Sequence, residues 1–261
     1  MAKRLPLATV IIGLLSLALM SVSGCREGDR DSALEAFLDH YRALPADVFE
    51  DSLRAVAARN EPRAVFAHYE LGNHFYEIAT QKANEAGWAN DEAWTLLDSA
   101  QVHFERAVVL DSTLVPALVN LGSLWDDKAD QVGTGLDERK VREERLQKAR
   151  DYYEKALAID PTDEKAGCNL ASLWLKKRQP GLAMDQLRSV LEVHPDSPLA
   201  HYNLAIMFAE EKIYREAIAE WGAAVKADPE GDIGMRSREN IKIVQELMTA
   251  KVPENLGADE N

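Results

Sequence analysis

The sequence predicts an all-α chain built as a stack of antiparallel helix pairs, and two recurring strings and one spacing carry that prediction. Pro161, Pro195 and Pro229 stand 34 residues apart. Ala183, Leu187 and Val190 precede Pro195 at the offsets at which Ala217, Trp221 and Ala224 precede Pro229, and Ala149, Tyr153 and Ala156 precede Pro161. An earlier copy, Ala100, Phe104 and Ala107, ends at Ser112 in place of the proline. The second string is Leu71-Gly72 then Phe75, Leu121-Gly122 then Trp125, Leu170-Ala171 then Trp174, and Leu204-Ala205 then Phe208. A period of this length marks one supersecondary unit repeated along the chain.

Each position in the strings has a physical reason. Gly122, Ala171 and Ala205 carry almost no side chain, so a neighbouring helix crosses there at close range, and Tyr153, Leu187 and Trp221 fill the space left open. The prolines follow Asp160, His194 and Asp228, where a ring with fixed φ and no N–H stops the preceding helix. Ser197 followed by Pro198 reads as an N-cap with proline in the first turn of the next helix.

These strings resemble the tetratricopeptide repeat (TPR), in which 34 residues form two helices, the first carrying the Leu-Gly or Leu-Ala pair and an aromatic, the second Ala, aromatic, Ala and Pro. The resemblance implies a TPR-type α-solenoid of four units over residues 63–230. The first two units depart from the pattern. Gly72 to Ala100 is 28 residues and Gly122 to Ala149 is 27, against 12 from Ala171 to Ala183 and from Ala205 to Ala217. Shared over two helices, the surplus predicts about two extra turns on each. Turn residues fall near the middle of both inserts: Gly87 with Asn90-Asp91, and Gly133-Thr134-Gly135. Two adjacent lengthened hairpins are therefore expected. The second insert carries Asp137, Glu138, Arg139, Lys140, Arg142, Glu143, Glu144, Arg145 and Lys148, a solvated helix with Glu138–Arg142 and Glu144–Lys148 in the favourable i, i+4 order. The first carries Trp88, Trp94, Leu96 and Leu97, which are expected to pack against the neighbouring hairpin.

Flanking segments complete the organisation. Residues 32–62 read as an N-terminal helical pair, Ser32 to Ala43 and Ala46 to Arg59, opened by a capping box at Ser32 and Glu35 and broken at Pro45. Leu34, Phe37, Leu38 and Tyr41 recur there at helical spacing. Residues 231–250 read as a capping helix with Ile241, Val244, Leu247 and Met248 on one face. Residues 251–261 form a polar tail.

At the other end Lys3 and Arg4 precede an apolar stretch from Leu5 to Met20, shorter than the ~20 residues a membrane span needs. Ser21-Val22-Ser23-Gly24-Cys25 follows. This end resembles the lipobox of bacterial lipoproteins, which implies removal of residues 1–24, lipidation at Cys25 and a tether over residues 25–31; small Ser21 and Ser23 leave ordinary signal-peptidase cleavage after Ser23 as the alternative. Two or three acyl chains (palmitate among the expected ones) give stable attachment. Arg26, where an inner-membrane retention signal has Asp, favours the periplasmic side of the outer membrane by resemblance. With Cys25 lipidated, Cys168 has no disulfide partner. The 261-residue chain has a formal net charge of −14, and loss of Lys3 and Arg4 leaves 28 basic against 44 acidic residues, a net −16. Such a chain is repelled by nucleic acid, so no nucleic-acid partner is expected.

No catalytic constellation emerges. His40, His68, His74, His103, His194 and His201 lack metal-ligand spacing, and no nucleophile elbow or phosphate loop is present. No enzyme activity, metal or cofactor is expected. What remains is recognition. Asn120, Asn169 and Asn203 each immediately precede the Leu of the motif, with Glu70 in that place in the first copy. In TPR proteins an asparagine here binds the main chain of an extended peptide, or it makes hydrogen bonds within the stack; the sequence leaves both open. Tyr69, Asn73, Lys165, Ser172, Lys176 and Tyr202 flank it, giving a groove of mixed charge. The expectation is an envelope lipoprotein that holds a protein partner at the membrane, similar to repeat-bearing lipoproteins that help assemble outer-membrane machines. Self-association through the long hairpins is the architectural alternative.

Overall fold

The structure, a computed structural model, describes residues 27–59, 62–88, 90–132 and 135–250, and every regular element among them is an α-helix. The expected export segment with Cys25, and Gly133, Thr134 and the tail from Lys251, lie outside the described residues. The chain divides into a first compact unit ending at Leu71 and a second beginning at Gly72.

In the first unit α1 (Glu27–Arg42) and α2 (Ala46–Ala57) precede the opening turns of α3 (Ala64–Ala86). Leu34, Phe37, Leu38, Tyr41 and Leu53 are buried, as the helical spacing requires. Phe37 meets Phe66 of α3 with ring centroids 5.8 Å apart. The expected start at Ser32 is wrong. Helix α1 begins at Glu27, so Ser32 lies inside it and residues 27–31, assigned to the tether, are helical. Glu70 on α3 is buried and accepts from Arg42 Nε at 2.7 Å and Nη2 at 3.2 Å, so α1 and α3 are joined by a two-point ion pair.

The second unit continues α3 and pairs it with α4 (Asp91–Leu110). Then come α5 (Val115–Asp130) with α6 (Leu136–Ile159), α7 (Glu164–Lys176) with α8 (Pro180–Val193), α9 (Pro198–Glu210) with α10 (Tyr214–Ala227), and the closing helix α11 (Asp232–Ala250). The small-to-large pairing is visible in each hairpin. A Cβ on Gly72 would lie 2.5 Å from the Phe104 ring, and one on Gly122 would lie 2.4 Å from that of Tyr153. Tyr153, Ala149 and Ala156 share a core with Val115, Leu118, Leu170 and Leu173, while Leu187 and Ala183 share the next with Ala171 and Leu204.

Turns repeat as faithfully as cores. Asp111 Oδ1 accepts from the Thr113 N–H at 2.9 Å and hydroxyl at 2.7 Å, and Asp160 holds Thr162 at the same two distances. Asp163 caps α7 by accepting from Ala166 N–H at 2.7 Å, and Ser197 caps α9 by accepting from Ala200 N–H at 3.0 Å. Each short hairpin turns through one left-handed residue, Arg178 at φ 57° and Lys212 at φ 62°. The N–H groups of the next residues, Gln179 and Ile213, reach back to the carbonyls of Trp174 and Phe208 at 2.9 and 2.8 Å. This closes the helix end where glycine is usual.

The inserts lengthen the hairpins unevenly, which corrects the expected equal division. Helix α3 has 23 residues and α6 has 24, against 13 and 14 in α7 and α8, whereas α5 has only 16. Gly133 to Gly135 stands nearer Gly122 than Ala149, so the second arm takes most of the extra length. The long hairpins are stitched to one another. Buried Lys128 of α5 donates to Asp98 and Gln101 of α4, each at 2.6 Å. Trp94 Nε1 donates to the Trp88 carbonyl at 2.7 Å, and Arg145 of α6 lies 5.6 Å from the Trp94 ring. Several α6 charges also reach across helices. Lys148 covers the Trp125 ring at 3.9 Å, Arg142 lies 3.6 Å from Asp130, and Glu143 pairs with Lys177.

Candidate binding groove

The first helices of successive repeats lie side by side because each small residue lets its second helix sit close behind, and their shared face carries the recurring asparagines. These are half-buried. Each donates its amide N–H to the preceding repeat: Asn120 to Asn73 Oδ1 at 2.7 Å, Asn169 to Ser123 Oγ at 3.1 Å, and Asn203 to the Cys168 carbonyl at 3.2 Å. Thus Asn73 and Asn120 are brought together, while the other two asparagines meet Ser123 and a backbone oxygen. Ser123 also receives the Tyr153 hydroxyl at 3.3 Å, which links the row to the core behind it.

One turn further along the same helices is a second row. Tyr76 of α3 donates its hydroxyl to Asp127 of α5. Lys176 of α7 bridges Asp126 at 2.9 Å and Asp130 at 2.7 Å. Burial raises the Asp126 carboxyl above its ordinary range, and Lys176 opposes that rise; the Asp126 Oδ1 is buried with no hydrogen-bond partner. Burial likewise raises Asp127 against the lowering effect of the Tyr76 hydrogen bond. The Tyr76 hydroxyl is pushed well up by burial and by Asp127. Burial alone would lower Lys176, but Asp126 and Asp130 outweigh it and raise it. The positive charge expected from Lys176 is therefore neutralised within the stack.

The remaining candidates scatter. Lys165 is exposed in the first turn of α7, Ser172 is half-buried beside the asparagine row, and Tyr69 is half-buried on the part of α3 that belongs to the first unit. The Tyr202 hydroxyl accepts from Asn240 of α11 at 3.4 Å, which fixes it to the closing helix. Ser123, Tyr76, Asp126 and Asp127 were missed. The repeat register contains their signal: Ser123 follows Gly122 as Asn73 follows Gly72 and Ser172 follows Ala171, and Asp127 stands at the place of Lys176. Cys168 is buried, and burial pushes its thiol up to about 12, which makes it an inert packing residue. No cluster of three or more His, Cys, Asp or Glu among the described residues could hold a metal ion.

Fold and repeat register define an α-solenoid of the tetratricopeptide type. Residues 140–206, from α6 into α9, match the family model described as tetratricopeptide repeat. No curated protein matches the chain in sequence. Among solved structures, TTC0263, a thermophilic TPR protein of Thermus thermophilus, is 15% identical over 69% of this chain and 97% of its own, with a TM-score of 0.52. The human IFIT1 dimer with m7Gppp-AAAA is 18% identical over 72% of this chain and 46% of its own, with a TM-score of 0.53. MamA is 17% identical over 79% of this chain and 96% of its own, with a TM-score of 0.49. At these identities the likeness concerns the fold.

Proposed function

We propose that this chain is a scaffold of the bacterial envelope that holds an extended segment of a partner protein across the face shared by α5, α7 and α9, with Cys25 carrying its lipid anchor. One observation carries the reading. Asn120, Asn169 and Asn203 form a row whose amide nitrogens are tied to the neighbouring repeat, which fixes each side chain before a partner arrives. The carbonyl oxygens of Asn120 and Asn203 accept no hydrogen bond from a described residue, so they are placed to accept a partner's backbone N–H. The Lys176 bridge and the Tyr76–Asp127 bond keep the adjoining helices in register around the row. No role is assigned to a metal, a cofactor or catalysis.

The test is crosslinking in cells from Ser172, which borders the row, in chains with and without the three asparagines changed to alanine. A partner captured by the parent chain and lost from a folded triple variant supports the groove. Equal capture by both would remove it. Localisation is tested separately: Cys25→Ser should leave either uncleaved precursor or a soluble exported form, and unchanged membrane attachment would refute the anchor.

Self-association through the long hairpins is the second reading, favoured by Leu136 at the start of α6, which is 83% exposed. Light scattering separates the two. A stable oligomer dispersed by Leu136→Glu supports the hairpins as the interface.

A further inference from the structure

His201 sits on α9 between two oxygen atoms that can only accept. Its Nδ1 lies 2.6 Å from Glu220 Oε2 on α10, and its Nε2 lies 3.0 Å from the carbonyl oxygen of Pro195 in the turn before α9. A neutral imidazole has one N–H, so it can satisfy one of these oxygens and must turn a lone pair toward the other; only the imidazolium donates to both. The His201 and Glu220 side chains are mostly enclosed, 17% and 28% exposed, so water replaces the bond between them poorly, while Pro195 lies exposed in the turn.

We infer that His201 is a proton-operated fastener of the fourth repeat, which as imidazolium ties α9 both to α10 and to the preceding turn and as neutral imidazole releases one of them. The other titratable groups at this corner are already engaged or exposed. On α7, Glu164 accepts from the Ser197 hydroxyl at 2.6 Å, and Asp163 caps its own helix. His194, at the end of α8, bonds through Nε2 to the Thr162 carbonyl at 2.7 Å, and Asp196 in the turn is exposed. Glu220 is thus the carboxylate in contact with the ring. Protonation of the ring therefore completes the fastener, and loss of that proton gives up one of its two bonds.

The consequence for partner binding rests on the groove reading, because α9 also carries Asn203 and Tyr202. The test does not. Hydrogen exchange of the full chain at pH 5.5 and 8, corrected for intrinsic rates, should show α9 and α10 amides about tenfold better protected at the acid pH, relative to the same segments of the Glu220→Gln chain. Glu220→Gln gives the decisive variant. A glutamine oxygen accepts from Nδ1–H and its NH2 donates to a bare Nδ1, so both contacts survive in either protonation state and the pH difference should vanish. His201→Gln should remove it as well. Equal protection of the parent chain at the two pH values, or a full pH difference retained in Glu220→Gln, would overturn the inference.

Discussion

Gly122 lies against the ring of Tyr153 so closely that a Cβ would stand 2.4 Å from Cε1 and 2.6 Å from Cδ1. Tyr153 is 1% exposed, and its hydroxyl is tied to Ser123, so the ring has nowhere to go. Gly122→Ala should therefore destabilise the chain by about 1 to 3 kcal/mol, the usual range for overpacking, although alanine is the better helix former. Urea unfolding measures it, and a midpoint equal to or above that of the parent would refute the contact.

The asparagine row makes a second prediction about stability. Asn203→Ala removes the bond to the Cys168 carbonyl and should cost about 0.5 to 1.5 kcal/mol, the net worth of one hydrogen bond. Asn120→Ala should cost a similar amount by leaving Asn73 Oδ1 without that donor. A row that served a partner alone would lose nothing in the free protein. Thermal midpoints of both variants without partner decide the point.

Much of the stack was legible in the sequence because its repeats use strong local signals. Ser197-Pro198 fixed the start of α9, and the paired small and large residues fixed which helices cross. The closing helix runs from Asp232 to Ala250, as its apolar spacing predicts. Two element-level expectations failed where local signals compete. Ser32 offered a capping box inside a stretch already able to form helix from Glu27, and Gly133 to Gly135 marked a turn without dividing the insert equally. The groove was half legible. Periodicity identifies Asn120, Asn169 and Asn203 as equivalent, but the partner of each lies 35 to 47 residues away on another helix. Lys176 looked like a free groove cation because its bridges to Asp126 and Asp130 span 50 and 46 residues. Recurrence tells which positions share a face; only packing tells what they touch.

The hairpin turns give a stabilising prediction. Arg178 and Lys212 hold left-handed backbone at φ 57° and 62°, which costs a residue with a Cβ about 1 to 2 kcal/mol. Glycine relieves that cost but loses about 0.5 to 1 kcal/mol of it to the entropy of the unfolded chain. Arg178→Gly and Lys212→Gly should each raise stability by about 0.5 kcal/mol, and the double variant should show the sum, since the turns share no partner. A decrease in the urea midpoint for either would mean that the side chain does more than tolerate the turn.

The Tyr76–Asp127 bond predicts a dependence on pH. Burial raises the folded-state carboxyl of Asp127 above its unfolded value, so the folded state binds the proton more tightly than the unfolded chain does. The stabilisation from that proton is full below the unfolded value and is lost as pH rises through the folded one, leaving an ionised, desolvated carboxylate at neutrality. Asp127→Asn removes this charge and keeps an oxygen that accepts from the Tyr76 hydroxyl. The variant should be more stable than the parent at pH 7, and the gap should narrow as pH is lowered through the carboxylate range. A variant less stable at pH 7, with a gap indifferent to pH, would mean that the Tyr76 bond depends on the ionised carboxylate and that charge, not shape, joins α3 to α5.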